Sequence, residues 1–405
     1  MTSFDTSPQL TAWRTLLALA VVFVMLATTG WTAVHRHERT TALKSSLGAW
    51  ERGRIAGRQL PGPQSTPARL ARFFASLTAG QRDRLAERYP LAVGNMNGAP
   101  AALRYRANRI AIQEQIGVER ARTRDKRLSP AGQHEAGRRT HRLESMTDAG
   151  RQILAFDPEG TGRVAEVFGD LDRAERISVV VPGVDTALLT FQRTHRRYSA
   201  PVGMAEALYA AQREARPSTR TAVIAWADYT SPAGLGIDSA TAMRAERGAV
   251  RLNALVRGLP GGSPVSLFCH SYGSVVCGVA AHALPDRVSD IAVAGSPGMR
   301  VENAAQLDTG ARVWAMRDSD DWVQDVPYLE LGGLGHGADP VASGFGARVL
   351  SAREARGHGG YFEPGTDSLR NFADIGTGEY GSVRCADDND LCRADLPGTT
   401  TAGRA

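Results

Sequence analysis

The stretch Ser263-Pro264-Val265-Ser266-Leu267-Phe268-Cys269-His270-Ser271-Tyr272-Gly273-Ser274-Val275-Val276 decides how the rest of this chain is read. Val265 to Phe268 is a short, mostly apolar run with Gly261, Gly262 and Pro264 in front of it, the pattern of a buried strand in a parallel sheet. From Ser274 onward, Val275, Val276, Val279, Ala280 and Ala281 form a run of small apolar residues suited to a buried helix. A strand, a sharp turn carrying Ser271 and a helix are the setting of a nucleophilic serine. The tight turn lifts the hydroxyl clear of the sheet, and the helix N-terminus favours negative charge developing beside it. The usual spacing is Gly-x-Ser-x-Gly. Gly273 fills the second glycine position, but Cys269 stands at the first. A serine on an ordinary strand-to-helix turn is the competing reading of this pentapeptide taken alone.

Working outward, the flanking sequence alternates apolar runs with helical patterns. Gln152–Phe156 and Val164–Phe168, separated by Asp157-Pro158-Glu159-Gly160-Thr161-Gly162, read as a hairpin. Ile177–Val181, Thr221–Trp226, Ile291–Ala294 and Val313–Met316 read as buried strands. Helices are expected over about Gly203–Glu214 and over Ser239 to about Leu259, the second capped by Asp238. This alternation predicts an α/β fold with a mostly parallel sheet and helices on both faces. Ligands in such sheets bind beyond the carboxyl ends of the strands, where Ser271 lies. Ahead of the sheet, Thr66-Pro67 reads as a helix start, Thr78 with Gln81 as a capping box, and Ala101 to about Arg127 as a long Arg-rich helix.

A serine nucleophile needs a base, and the base an orienting carboxylate. In a sheet of this kind they follow in the order serine, acid, histidine. The last strand runs into Arg317-Asp318-Ser319-Asp320-Asp321, where Asp321 is the first candidate acid, followed by Asp320 and then Asp318. Among the 9 histidines, His35 and His37 flank the N-terminal apolar stretch, and His134 and His141 lie in the helical region. His195 and His282 precede the acid, and His270 adjoins Ser271 on a turn whose neighbours tend to point apart. His358, in the Gly-rich loop Arg356–Phe362, remains as the candidate base, with His336 as runner-up. The oxyanion-stabilising amides are expected from Tyr272 and from Gly183 and Val184 after the Ile177 strand; Pro182 has no N–H to give.

Of the chain's 405 residues, 48 are Lys or Arg and 42 are Asp or Glu, a formal net charge of +6. Only Lys44 and Lys126 are lysine, and no basic stripe interleaves with aromatics, so nucleic-acid binding is not indicated. No glycine loop for a nucleotide and no Cys/His metal spacing is present, so neither a cofactor nor a metal is expected. Leu16–Val34 is mostly apolar, and no Lys, Arg, Asp or Glu lies between Arg14 and Arg36. About 20 such residues span a bilayer, whereas a cleaved signal has a shorter apolar core of roughly 7–15. Trp13 and Trp31 sit at its ends, as interfacial aromatics do, so an uncleaved single-pass anchor is expected. The flanking charges favour a cytoplasmic domain. A bond between Cys385 and Cys392 would instead require an oxidising, extracytoplasmic compartment. Cys269 and Cys277 are expected to pack as small buried residues. The expected layout is an anchor over 1–36, a linker and helical region over 37–148, the α/β domain over 149–382 and a tail over 383–405.

Several further stretches recur together: Gly94-Asn95…Gly98…Pro100, Arg106-Ala107-Asn108-Arg109, Val181-Pro182-Gly183, His270-Ser271-Tyr272-Gly273-Ser274, Gly295-Ser296-Pro297-Gly298, His336-Gly337…Asp339-Pro340 and His358…Tyr361. In this combination, which covers most of the chain after residue 90, the sequence resembles an actinobacterial alpha/beta hydrolase family long catalogued as a domain of unknown function. The resemblance implies an alpha/beta hydrolase fold, with Ser271, Asp321 and His358 as the matching triad. It says little about substrate. The expected activity is a membrane-anchored serine hydrolase of esterase or lipase type, acting on a small-molecule or lipid-like acyl compound. A non-catalytic binding or scaffold protein on the same fold is the alternative, since folds host unrelated functions. Acyl transfer to an alcohol cannot be told from hydrolysis at this level.

Overall fold

The apolar runs become strands, with bounds close to those expected. A computed structural model of the chain describes residues 41–386 and 391–396. Helices α1 (Ala42–Glu51), α2 (Pro67–Ala75), α3 (Ala79–Arg88), α4 (Ala101–Arg122) and α5 (Pro130–Ser145) precede the sheet. The strands are β1 (Gln152–Asp157), β2 (Arg163–Gly169), β3 (Arg176–Val181), β4 (Thr221–Ala227), β5 (Val265–His270), β6 (Val288–Ala294), β7 (Arg312–Met316) and the two-residue β8 (Arg348–Val349). Between and after them come α6 (Pro201–Ala215), α7 (Met243–Gly258), α8 (Tyr272–Ala280) and α9 (Asp367–Thr377). The sheet order is β8-β7-β6-β5-β3-β4-β2-β1. Only β2 runs antiparallel to its neighbours, through the predicted hairpin with β1 and its pairing to β4.

Residues alternate across the sheet with period two, so each strand feeds both faces. On one face Val179, Leu267 and Ile291 pack with Leu252 and Val256 of α7 and Val275 and Val276 of α8. On the other, Val180, Phe268 and Trp314 pack with Met204 and Leu208 of α6 and Leu369 and Phe372 of α9. Phe268 and Leu267 are both fully buried, and burial of such a side chain stabilises the fold by about 2–3 kcal/mol.

The edge strand β1 would otherwise expose unpaired backbone groups. Asn95 covers it, donating from Nδ2 to the Phe156 carbonyl at 2.6 Å and accepting the Phe156 amide at 3.0 Å. Asn108 on α4 donates to the Ile153 carbonyl at 2.9 Å. The predicted helix starts are present: Thr66 caps α2, and Thr78 with Gln81 forms the capping box of α3. A third apolar cluster, including Trp50, Phe74 and Tyr89, holds α1 to α3 together.

Three expectations are corrected. The Arg-rich helix ends at Arg122, earlier than about Arg127. The helix expected from Ser239 is broken: Ile237–Ala240 is a single turn, and α7 begins only at Met243. Thr241 forms a β-bridge with Leu334, and Asp238 bonds the Arg244 guanidinium at 2.8 Å instead of capping α7. Cys269 and Cys277 are buried as expected, but they are joined by a disulfide, as are Cys385 and Cys392. The Leu16–Val34 stretch lies outside the described residues. Among those described, no helix is long and apolar enough to cross a membrane.

Candidate active site

Ser271 sits between β5 and α8 with φ 54° and ψ −130°, a backbone conformation non-glycine residues rarely adopt. Its amide donates to the Ala294 carbonyl at 3.0 Å, and Ser274 Oγ donates to its carbonyl at 2.6 Å. The turn needs glycine at 273, because a Cβ there would lie 2.1 Å from the Val181 carbonyl oxygen. At Gly183 a Cβ would lie 2.6 Å from that of Ser271. The chain after β3 therefore runs directly against the serine. Cys269, in place of the usual first glycine, reaches across the elbow to Cys277 in the second turn of α8.

His358 faces the serine from a loop 87 residues downstream: its Nε2 lies 2.8 Å from Ser271 Oγ. Its Nδ1 lies 2.8 Å from Asp321 Oδ1 and 3.1 Å from Oδ2. An Nδ1–H donated to the carboxylate leaves Nε2 free to accept the serine proton. Asp321 has no exposed surface. Burial alone would push its carboxyl up, but His358, the Tyr361 hydroxyl and the Val323 amide together hold it below the ordinary carboxylate value. Asp321 is thus the acid that meets the histidine. Asp320 is exposed, and Asp318 does a different job.

That job, and several others, went unread in the sequence. Asp318 Oδ2 accepts the Gly357 amide at 2.8 Å, pinning the start of the histidine loop. Tyr361 donates its hydroxyl to Asp321 Oδ2 at 2.6 Å and accepts the Asp318 amide at 3.0 Å. His270 does not point away from the site. Its ring centroid is 4.9 Å from that of His358, and its Nε2–H donates to the His358 carbonyl at 2.6 Å. Burial, with the facing His358, pushes the His270 imidazole down to about 3, so it stays neutral. Trp322 also packs against the His358 ring, tilted by 45° with the ring centroids 4.7 Å apart. The Tyr361 position, three residues after His358 in a glycine-rich loop, was the one available clue.

The runner-up His336 is elsewhere. Its Nε2–H donates to the Ser239 carbonyl at 2.7 Å, and its ring packs edge-on against Tyr272. Tyr272 opens α8, so its amide is one of the helix's free N–H groups. Across from it, Tyr229 donates to the carbonyls of Pro182 (2.6 Å) and Gly183 (3.3 Å). In trans peptides N–H and C=O point opposite ways, so this bond turns the amides of Gly183 and Val184 to the side away from Tyr229.

Two loops rim the serine on the α7–α8 face. The turn Ile237–Ala240 and the hairpin Glu330–Leu331/Leu334–Gly335 meet at the Thr241–Leu334 bridge. Tyr272 fastens them to the elbow by donating to the Thr241 carbonyl at 2.7 Å. Leu235, Ile237, Leu329, Leu331 and Leu334 on these loops are all more than half exposed, and Trp322 is 41% exposed.

Residues 157–331 match the family model described as alpha/beta hydrolase. Rv2079, an uncharacterized protein of Mycobacterium tuberculosis strain H37Rv, is 27% identical over 393 residues, covering 81% of this chain and 58% of that protein. The chain thus spans less than two thirds of this relative's length. A second uncharacterized protein of the same strain, Rv0963c, is 31% identical over 203 residues, covering 47% of this chain and 74% of that protein. Among solved structures, similarity extends to XC6422 from Xanthomonas campestris, described as an a/b serine hydrolase without lid. It is 13% identical, covering 62% of this chain and 98% of that one, with a TM-score of 0.31. A dienelactone hydrolase from Anabaena variabilis is 15% identical, covering 42% and 75%, with a TM-score of 0.26. The family match thus assigns an alpha/beta hydrolase fold to residues 157–331, and the chain is related to uncharacterized mycobacterial proteins.

Proposed function

We propose that this protein is a membrane-anchored serine hydrolase that cleaves an ester or related acyl bond, with Ser271 as nucleophile, His358 as general base and acid, and Asp321 as the orienting carboxylate. One observation carries the reading: a single imidazole lies 2.8 Å from a serine hydroxyl on one side and 2.8 Å from a buried carboxylate on the other. Ser271 Oγ attacks the acyl carbonyl while its proton passes to His358 Nε2. The amides of Tyr272, Gly183 and Val184 stabilise the oxyanion. The tetrahedral intermediate collapses, His358 returns the proton to the departing alcohol, and the acyl-enzyme remains. Water then attacks the acyl carbon with His358 as base, releasing the acid and restoring Ser271.

The exposed leucines and Ile237 on the two rim loops favour an apolar acyl group, because large apolar side chains gathered beside a site mark a binding surface. The Leu16–Val34 stretch would tether the domain to a membrane. The two disulfides favour an oxidising compartment, so the domain is proposed to work on the extracytoplasmic side.

The test is turnover of p-nitrophenyl esters of increasing acyl length by the full-length protein. Acyl chains longer than acetate are expected to be preferred, and Ser271→Ala is expected to lower kcat by roughly 10⁴-fold or more. Equal turnover by Ser271→Ala and wild type would sink the assignment.

A further inference from the structure

On the sheet face opposite the rim loops, the segment Gln192–Arg196 folds over the end of α5 and borders an open cleft of about 640 Å³. Its lining includes Arg142, Arg193, Arg196 and His195, and none of its lining residues is acidic. This departs from the habit of the molecule, in which Arg106, Arg139, Arg151, Arg163, Arg251 and Arg312, for example, each meet a carboxylate. Arg193 and Arg196 are exposed and have no ion pair among the described residues. Arg142 forms the half-buried floor. Two of its nitrogens donate to Gln192, to Oε1 at 3.1 Å and to the carbonyl at 2.5 Å, while its Nε is buried without a partner. Burial, together with Arg151 nearby, holds the Arg142 guanidinium below its usual value, with Glu166 offsetting part of the effect.

The cleft is also tied to the histidine loop. Arg196 sits in the left-handed region (φ 51°, ψ 49°) and opens the short turn Arg197–Ser199, whose Ser199 amide donates to the Arg196 carbonyl at 3.0 Å. A Cβ on Gly359, the residue after His358, would lie 3.3 Å from the Ser199 Cβ. Three residues span at most about 10 Å. The backbone of Arg196 therefore lies one short turn from the loop that carries His358.

We propose that this cleft is an anion subsite that takes a phosphate or carboxylate group carried by the ester substrate. Guanidinium groups suit such ligands, because their planar fork matches the oxygens of either group. Together with the apolar rim on the other face, the subsite implies an amphiphilic ester with a negative charge on one side of the scissile bond. The substrate part of this inference rests on the serine-hydrolase reading; the binding part does not.

The experiment separates the two. Binding of inorganic phosphate to the full-length Ser271→Ala protein, measured by calorimetry, requires no turnover. It is expected to weaken at least tenfold in the added pair Arg193→Gln/Arg196→Gln and to fall with rising NaCl. In wild type, kcat/KM for the p-nitrophenyl monoester of glutaric acid is expected to exceed that for the neutral pentanoate at least tenfold. That ratio should drop toward one in the Arg193→Gln/Arg196→Gln variant. Absent phosphate binding, or binding unchanged in the paired variant, would overturn the subsite even if neutral esters are cleaved. Phosphate binding with a ratio near one in wild type would overturn the substrate assignment and point to a free anion or a lipid headgroup. Vesicles of phosphatidylglycerol against phosphatidylcholine would then tell these apart. Phosphate binding with no ester turnover at all would keep the anion site and overturn the hydrolase reading.

Discussion

The serine elbow and the histidine loop hold the two halves of the same hydrogen bond, yet they are built by opposite means. The elbow is held by close packing: Gly273 against the Val181 carbonyl, Val275 and Val276 in the core, and the Cys269–Cys277 bond between strand and helix. The loop Arg356–Gly360 is held by polar contacts from far along the chain: Asp318 on the Gly357 amide, His270 on the His358 carbonyl, and Tyr361 on Asp321. A packed turn fails by steric overlap and takes stability with it. A loop held by hydrogen bonds loses alignment first, so activity should fall before the fold does.

Gly273→Ala attacks the packed side most directly. Its Cβ would overlap the Val181 carbonyl, and a loss of about 3 kcal/mol is expected from such overpacking, read as a lower urea midpoint. Unchanged stability would show that the elbow is not packed as described. Replacing Cys269 and Cys277 together by alanine should cost about 2.5 kcal/mol, because the bond closes only a short loop, with a separation of 8 residues. Thiol titration of the unfolded, unreduced protein should find none of its 4 cysteines free. Two reactive thiols that disappear in the Cys269/Cys277 variant would remove the elbow disulfide from the account.

Tyr361→Phe tests the polar side. Losing the hydroxyl that steadies Asp321 should lower kcat about tenfold at constant KM while destabilising the protein by only about 1 kcal/mol. A loss of stability with kcat intact would reverse the contrast between the two regions. Asp374 on α9 provides the smallest effect on activity, away from both. Burial, with Glu379 adding to it, pushes its carboxyl up to about 7. The folded state therefore holds this proton more tightly than the unfolded chain. The stability it contributes is full below about pH 4 and is lost as pH rises through 7. Asp374→Asn should leave stability unchanged at pH 4 and raise it by up to about 4 kcal/mol at pH 8, without altering kcat. A gain confined to low pH would contradict the sign.

The same contrast explains what the sequence reveals. The strands are legible because their apolar runs are local and fully buried. Val265–His270 extends the expected Val265–Phe268 by only two residues, and Arg176–Val181 the expected run by one. The edge strand Arg348–Val349 is invisible, because two residues paired on one side carry no pattern. Ser271 is legible from its pentapeptide. Asp321 and His358 follow from chain order and elimination, and the structure brings His358 to the serine and Asp321 to His358. The supports of the loop are not legible, since Asp318, His270 and Tyr361 act through single bonds that form only after the sheet closes. The Cys269–Cys277 bond is an intermediate case. A strand, elbow and helix necessarily bring the residue two before the serine toward the helix's second turn, and that geometry was the missed signal.

The most direct test of the central claim is labelling of the full-length protein with a fluorophosphonate probe, which reacts only with an activated serine. Labelling at Ser271 in wild type, absent from Ser271→Ala and from His358→Ala, is the predicted result. A well-folded wild type that takes up no probe, or a Ser271→Ala protein that still takes it up, would contradict the claim that His358 and Asp321 activate Ser271.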